Sequence, residues 1–158
     1  DHRYYFKLPL RKKWTLILKN KIGYGDSYGS TRELPFFRNF FAGGPRTVRG
    51  YGESSLGPED IFGRALGGNI LLTANAEVIV PVPLLEDIKS ARVSVFYDVG
   101  NVFASDDSFS LSELRMAVGV AGIWMSPMGL LSVSYANPFN DKFGDEIEKF
   151  QFNFGTQF

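Results

Sequence analysis

Arg49 stands in the run Val48, Arg49, Gly50, Tyr51, inside a segment, 25–68, that has no helix or strand period. A guanidinium can hold a carboxylate through two parallel hydrogen bonds, which fixes geometry as well as adding energy. Two carboxylates suited to it lie downstream: Glu77 and Asp98 each fall on the polar side of an alternating segment. Gly43, Gly44 and Gly50 let the backbone around the arginine turn tightly or approach another surface closely. Phe40, Phe41 and Tyr51 can pack the loop down or stack on the guanidinium. A solvated loop arginine is the competing reading, and the residues alone leave both open.

Other chemistry has little material. His2 is the sole histidine and cysteine is absent. A Ser-His-Asp triad, a His-rich metal site and a thiolate site therefore lack their parts. Asp106, Asp107 and Glu113 carry charge that suits a cation, but a solvated loop is the simpler account. The run from Gly23 to Gly29 lacks the lysine and the following helix of a phosphate loop. The expectation is a protein that is not an enzyme, with no cofactor and no metal.

Bulk properties narrow the class. The 158 residues carry 17 basic and 17 acidic side chains, and 44% are hydrophobic. Zero net charge gives no general argument for a nucleic-acid partner. The strongest basic run, Arg11-Lys12-Lys13, reads as a solvated turn. Lack of cysteine names no compartment. No signal peptide is expected at the start, because Asp1 to Tyr5 already reads as a strand. Apolar runs such as 78–85 fall short of the ~20 residues of a membrane helix, which excludes a helical membrane protein but not a β-barrel.

The elements that must position Arg49 and its partners have a period of two. Even positions of 69–82 are apolar from Ile70 to Val82, while Asn69, Thr73, Asn75 and Glu77 lie opposite. In 92–103, Val93, Val95, Tyr97 and Val99 oppose Arg92, Ser94 and Asp98. The segments 14–24, 114–125, 130–137 and 149–158 alternate likewise, and 2–10 more weakly. Strands of about 9–12 residues suit a tilted crossing of a bilayer. Links 11–13, 83–91 and 126–129 are short, whereas 25–68, 104–113 and 138–149 are longer, as in barrels with short periplasmic turns and long extracellular loops. Trp14, Tyr24, Phe103, Trp124, Tyr135 and Phe158 near strand ends fit interfacial girdles. A soluble sandwich fits these features less well. The fold expected is all-β, about seven antiparallel strands with one face to lipid and one to a wet lumen. Seven strands leave two open edges in lipid, so a larger barrel is expected.

Several motifs, in chain order, resemble the BamA family of outer-membrane barrel assembly proteins. "FRNFFAGGPRTVRGYGESSLGP" (38–58) is similar to that family's long sixth extracellular loop, with its VRGF/Y motif at Val48, Arg49, Gly50 and Tyr51. "GGNILLTANAEVIVPVP" (67–83), "VSVFYDVGNVF" (93–103), "IWMSPMGLLSVSYANPF" (123–139) and "FQFNFGTQF" (150–158) resemble later strands and turns. The one departure is a sixth loop shorter between Pro58 and Gly67 than in some members.

The resemblance implies the C-terminal part of a sixteen-stranded transmembrane β-barrel, with its N-terminal strands and periplasmic POTRA domains lying outside this sequence. It implies that loop 25–68 folds back into the lumen, where Arg49 meets Glu77 and Asp98. It implies that Phe152, Phe154 and Phe158 form a sorting signal. The seam beside the last strand would open sideways, with Gly155 placed for a kink. The partners implied are the outer-membrane lipid bilayer, unfolded β-barrel clients and accessory assembly lipoproteins. A two-partner secretion translocator and a TamA-type paralogue share the loop motif and remain alternatives, with a passive porin behind them.

Overall fold

The computed structural model describes residues 1–9, 14–26, 35–80, 91–104, 109–127 and 129–155. Seven antiparallel strands form one sheet: β1 (His2–Lys7), β2 (Thr15–Tyr24), β4 (Ile70–Val80), β5 (Ala91–Phe103), β6 (Arg115–Ser126), β7 (Gly129–Phe139) and β9 (Phe150–Phe154). Each sits beside the next in that order. A separate pair joins β3 (Gly50–Tyr51) to β8 (Ile147–Glu148). Single 3-10 turns occur at Phe36–Arg38 and Leu111–Glu113, and no α-helix occurs among the described residues.

Strand ends differ modestly from the alternation. β1 stops at Lys7, and Leu10 and the 11–13 turn lie outside the described residues. β4 is described to Val80, with 81–90 outside. β7 continues past 137 through Pro138, opposite Ala117, to Phe139. Proline lacks an N–H, and it is tolerated here because β7 has outrun its ladder with β9, an edge position. β9 ends at Phe154 and the chain leaves it at Gly155 (φ 142°), with 156–158 outside the described residues.

The register sorts side chains between two faces. Ile17, Glu77, Phe96 and Gly119 form a row across four strands, as do Lys19, Asn75, Asp98 and Ala117. This inner face is covered by the segment 40–56. The opposite face presents Leu18, Val95, Tyr97, Val118, Val120, Tyr135, Phe150, Phe152 and Phe154, all exposed. An apolar outer face and a polar inner one are the pattern of a membrane barrel wall. Tyr24, Trp124 and Tyr135 are exposed on it, as expected of interfacial aromatics. Phe103 is not: it is buried at the strand end, where the Phe109 ring packs on it with centroids 5.0 Å apart. Phe158 lies outside the described residues.

The core lies between loop and wall. Ala42, Val48, Tyr51 and Leu56 from the loop pack with Leu71, Phe96, Val102, Ala117, Ala121 and Ala136 from the inner face. The alanines leave room for the loop, and each large loop side chain buried contributes about 1.5–3 kcal/mol.

Candidate functional site

The loop reaches the wall as a tight hairpin. Gly43 and Gly44 take φ of 106° and 88°, a region open to glycine. Thr47 clips the turn, its Oγ1 accepting from Gly43 N–H (2.9 Å) and donating to Gly43 O (2.8 Å). Gly44 N–H donates to Tyr51 O (3.0 Å), closing the hairpin. From the wall, Asn75 Nδ2 donates to Thr47 O (2.6 Å). These bonds present Val48, fully buried, and Arg49 to the inner face.

Arg49 meets both acidic residues. Its Nε and Nη2 donate to Asp98 Oδ2 (2.7 Å) and Oδ1 (2.8 Å), the two-bond fork. Its backbone N–H adds a bond to Asp98 Oδ2 (3.1 Å). Nη1 reaches Glu77 Oε2 (3.3 Å), and Ser94 Oγ holds the other Glu77 oxygen (2.5 Å). The guanidinium lies 3.4 Å from the centre of the Phe96 ring. Burial opposes the Arg49 charge, but the hydrogen bonds and charge of Asp98, then of Glu77, outweigh it and hold the guanidinium above its ordinary value. One cation between two carboxylates on neighbouring strands is a lock: it holds the loop to β4 and β5 together.

Of the two roles open to the loop aromatics, packing and stacking, Tyr51 and Phe40 take the first, and the stacking partner is a wall residue that the sequence did not single out. Phe96 of β5 stacks on Arg49, whereas Tyr51, Phe40 and Phe41 do not. Phe96 has its place because Gly119 opposes it: a Cβ there would come within 2.5 Å of the Phe96 ring. Phe40 instead packs against the core beside Gly23 and bridges Gly68 through paired backbone bonds. Phe41 remains partly exposed, beside Gly67.

Gly50 and Tyr51 face the other end of the sheet. Gly50 has φ 92°, and a Cβ there would lie 3.0 Å from the Ala136 Cβ, so glycine permits the close approach. Tyr51 is fully buried and its hydroxyl lies within bonding distance of Met116 O (3.1 Å) and Phe139 O (3.2 Å). Burial first, then the charge of Asp145, pushes the phenol from 10.0 up to about 12. A raised value on a group neutral when protonated means full stability below the unfolded value. Tyr51 thus stabilises the loop fully below pH 10.0, and that contribution is lost as pH rises through about 12. Alkaline unfolding of the intact protein should show this loss, and a Tyr51→Phe variant should lack it. Identical alkaline profiles would contradict the assignment.

Sequence reasoning missed a second ion pair. Arg115 Nε and Nη2 grip Asp145 at 2.6 and 3.0 Å, and Nη1 reaches Glu113 Oε2 (3.3 Å). This ties the last loop to β6, which aligns β8 against β3. An arginine on the inner face of β6 was the available signal; its partner lies 30 residues away with no local mark. Asp106 and Asp107 lie outside the described residues, and no group of metal-ligating side chains occurs among those described.

The terminal strand presents Phe152 and Phe154 outward and buries Gln151. Among the described residues its ladder with β7 has five pairs, Tyr135↔Phe150 to Leu131↔Phe154, while β4 and β5 share eleven. Gly155 still donates to Leu130 O (3.0 Å), and a Cβ there would meet nothing within 4 Å.

A sheet with an apolar outer face, a polar inner face and a loop pinned inside defines a segment of an outer-membrane β-barrel. The Omp85 superfamily domain matches residues 1–158, and the chain belongs to that superfamily. It is 37% identical to the outer membrane protein assembly factor BamA of Neisseria meningitidis serogroup B, covering 99% of this chain and 23% of that protein. It is 28% identical to the sorting assembly machinery 50 kDa subunit of Saccharomyces cerevisiae, over 87% of this chain and 31% of that protein. BamA from Haemophilus ducreyi lacking POTRA domains 1–3 superposes with a TM-score of 0.82 at 33% identity, over 95% of this chain and 32% of that one. The chain thus spans about a quarter to a third of the length of these relatives.

Proposed function

We propose that this chain is the C-terminal wall of an outer-membrane barrel that folds and inserts other β-barrel proteins. The observation that carries the reading is Arg49 seated on Asp98 and Glu77, which holds a long loop inside the wall where a passive pore needs open water. The relatives with similar sequence are named as assembly factors and as sorting assembly machinery. The role requires no covalent chemistry. The work is done by backbone: an open strand edge templates pairing of another strand. β9, with its short ladder, is the edge suited to that, and Gly155 is where it gives way. The remaining strands and the periplasmic POTRA repeats precede this segment in the intact protein. Unfolded β-barrel proteins are the clients, the lipid bilayer is the solvent, and accessory lipoproteins attach from the periplasm.

The test places the intact protein in phospholipid vesicles and adds a urea-unfolded outer-membrane barrel protein. Client folding, read as the heat-sensitive shift in gel migration, should run faster than in empty vesicles. Client passing into the vesicle interior without inserting would mark a secretion translocator, and a rate equal to that in empty vesicles would end the assembly reading.

A further inference from the structure

We propose that Gln151 is a positioning residue that ties the seated loop to the terminal strand, so that each restrains the other. Its side chain is buried in the inner row of β9, 3% exposed. Nε2 donates to Tyr51 O (2.6 Å) and Oε1 accepts from Gly50 N–H (3.3 Å). The side-chain amide therefore meets the motif backbone as a facing strand would, with one donor and one acceptor. Its orientation is fixed by these partners, since a flipped amide would set donor against donor and acceptor against acceptor. Nε2 also lies 3.3 Å from Glu148 Oε2.

Two anchorages meet within three residues. Arg49 is held by β4 and β5, and the next two residues are held by β9. β3 and β8 pair beside this point, and Gly52 N–H bonds Glu146 O (2.8 Å), so the approach to β9 is also fixed to the loop. Among the described residues β9 has a ladder of five pairs on one side and no neighbouring strand on the other. A strand with so few ladder bonds gains much from one buried pair of hydrogen bonds. Linkage is reciprocal: what loosens the loop loosens β9, and the reverse. The consequence for client insertion rests on the assembly reading above.

The test is hydrogen exchange on the intact protein in lipid. Gln151→Met keeps the length and removes both bonds. It should speed exchange in 48–51 as well as 150–154 by about tenfold, leaving the β4–β5 ladder protected. Arg49→Ala should speed exchange in 150–154, though the guanidinium it removes is bonded to β4 and β5. A second variant guards against simple misfolding. Gln151→Glu can accept from Gly50 but, ionised, cannot donate to Tyr51. The Glu148 carboxylate, 3.3 Å from this side chain, raises its pKa, and the Arg49 charge on the loop side opposes that. Its protection, corrected for intrinsic exchange and compared with the unsubstituted protein, should return at about pH 5, where the protonated carboxyl mimics the amide. Unchanged exchange at 150–154 in Arg49→Ala, or pH-independent loss in Gln151→Glu, would overturn the tie. Coupled exchange with unaltered client folding in Gln151→Met would leave the tie standing and remove its consequence for insertion.

Discussion

Arg49→Ala is expected to destabilise the seated loop by about 3–5 kcal/mol, less to the extent that water reaches the lumen. The magnitude follows from what the substitution strands. The Asp98 side chain is fully buried and loses both guanidinium bonds, keeping only the Arg49 backbone N–H. Glu77, 8% exposed, loses its cation and keeps Ser94. The face of Phe96 loses the charge it supports. Arg49→Lys should recover only part of this, because a point charge cannot fork Asp98, reach Glu77 and lie flat on a ring together. The readout is the temperature at which the intact protein loses its compact, fast-migrating form on a gel. An Arg49→Ala protein as heat-resistant as the parent, with undiminished client folding, would remove the lock from the account.

The second large effect is Gly43→Ala. Its φ of 106° lies where a side chain costs about 1–3 kcal/mol by backbone strain alone. A Cβ would also overlap the carbonyl oxygen of Gly52 and come to 3.0 Å from Ser55 N, both backbone atoms that no rotamer change can move. The hairpin must open, and the Thr47 clip that aims Arg49 opens with it. Gly63→Ala is the matched control: its φ is 74°, but a Cβ there meets only Glu59 Oε2 at 4.0 Å. Heat stability should fall far more for Gly43→Ala than for Gly63→Ala. Equal losses would mean that strain, and not the hairpin's close approach, sets the cost.

The two faces of the wall were legible in the sequence because the strand period places every second residue on one side. Val93, Val95, Tyr97 and Val99 point outward, and Ser94 and Asp98 point inward. That same sorting put Glu77 and Asp98 on the inner side, while the return of the loop that brings Arg49 to them came from the family resemblance alone. The aromatic partner was not legible. Phe96 sits among polar inner-face residues, and what marks it is Gly119 on the next strand, a cross-strand fact. Leu71 and Val102 break the polar inner pattern for a related reason: the loop covers them, so apolar groups are stable there. The β3–β8 pair and the Gln151 bonds join residues roughly a hundred positions apart, for which no local pattern exists. Gln151 therefore looked like one more polar residue in an alternating strand.

The central claim is that Arg49 and Asp98 act as one unit to hold the loop against the wall. A double-mutant cycle on heat stability of the intact protein tests it most directly, using Arg49→Ala, Asp98→Ala and both together. The account predicts strong non-additivity, about 1–3 kcal/mol, with the double variant losing much less than the sum of the singles, because neither charge is then left unpaired. Additive losses would show that the two residues stabilise the barrel separately, and would contradict the lock.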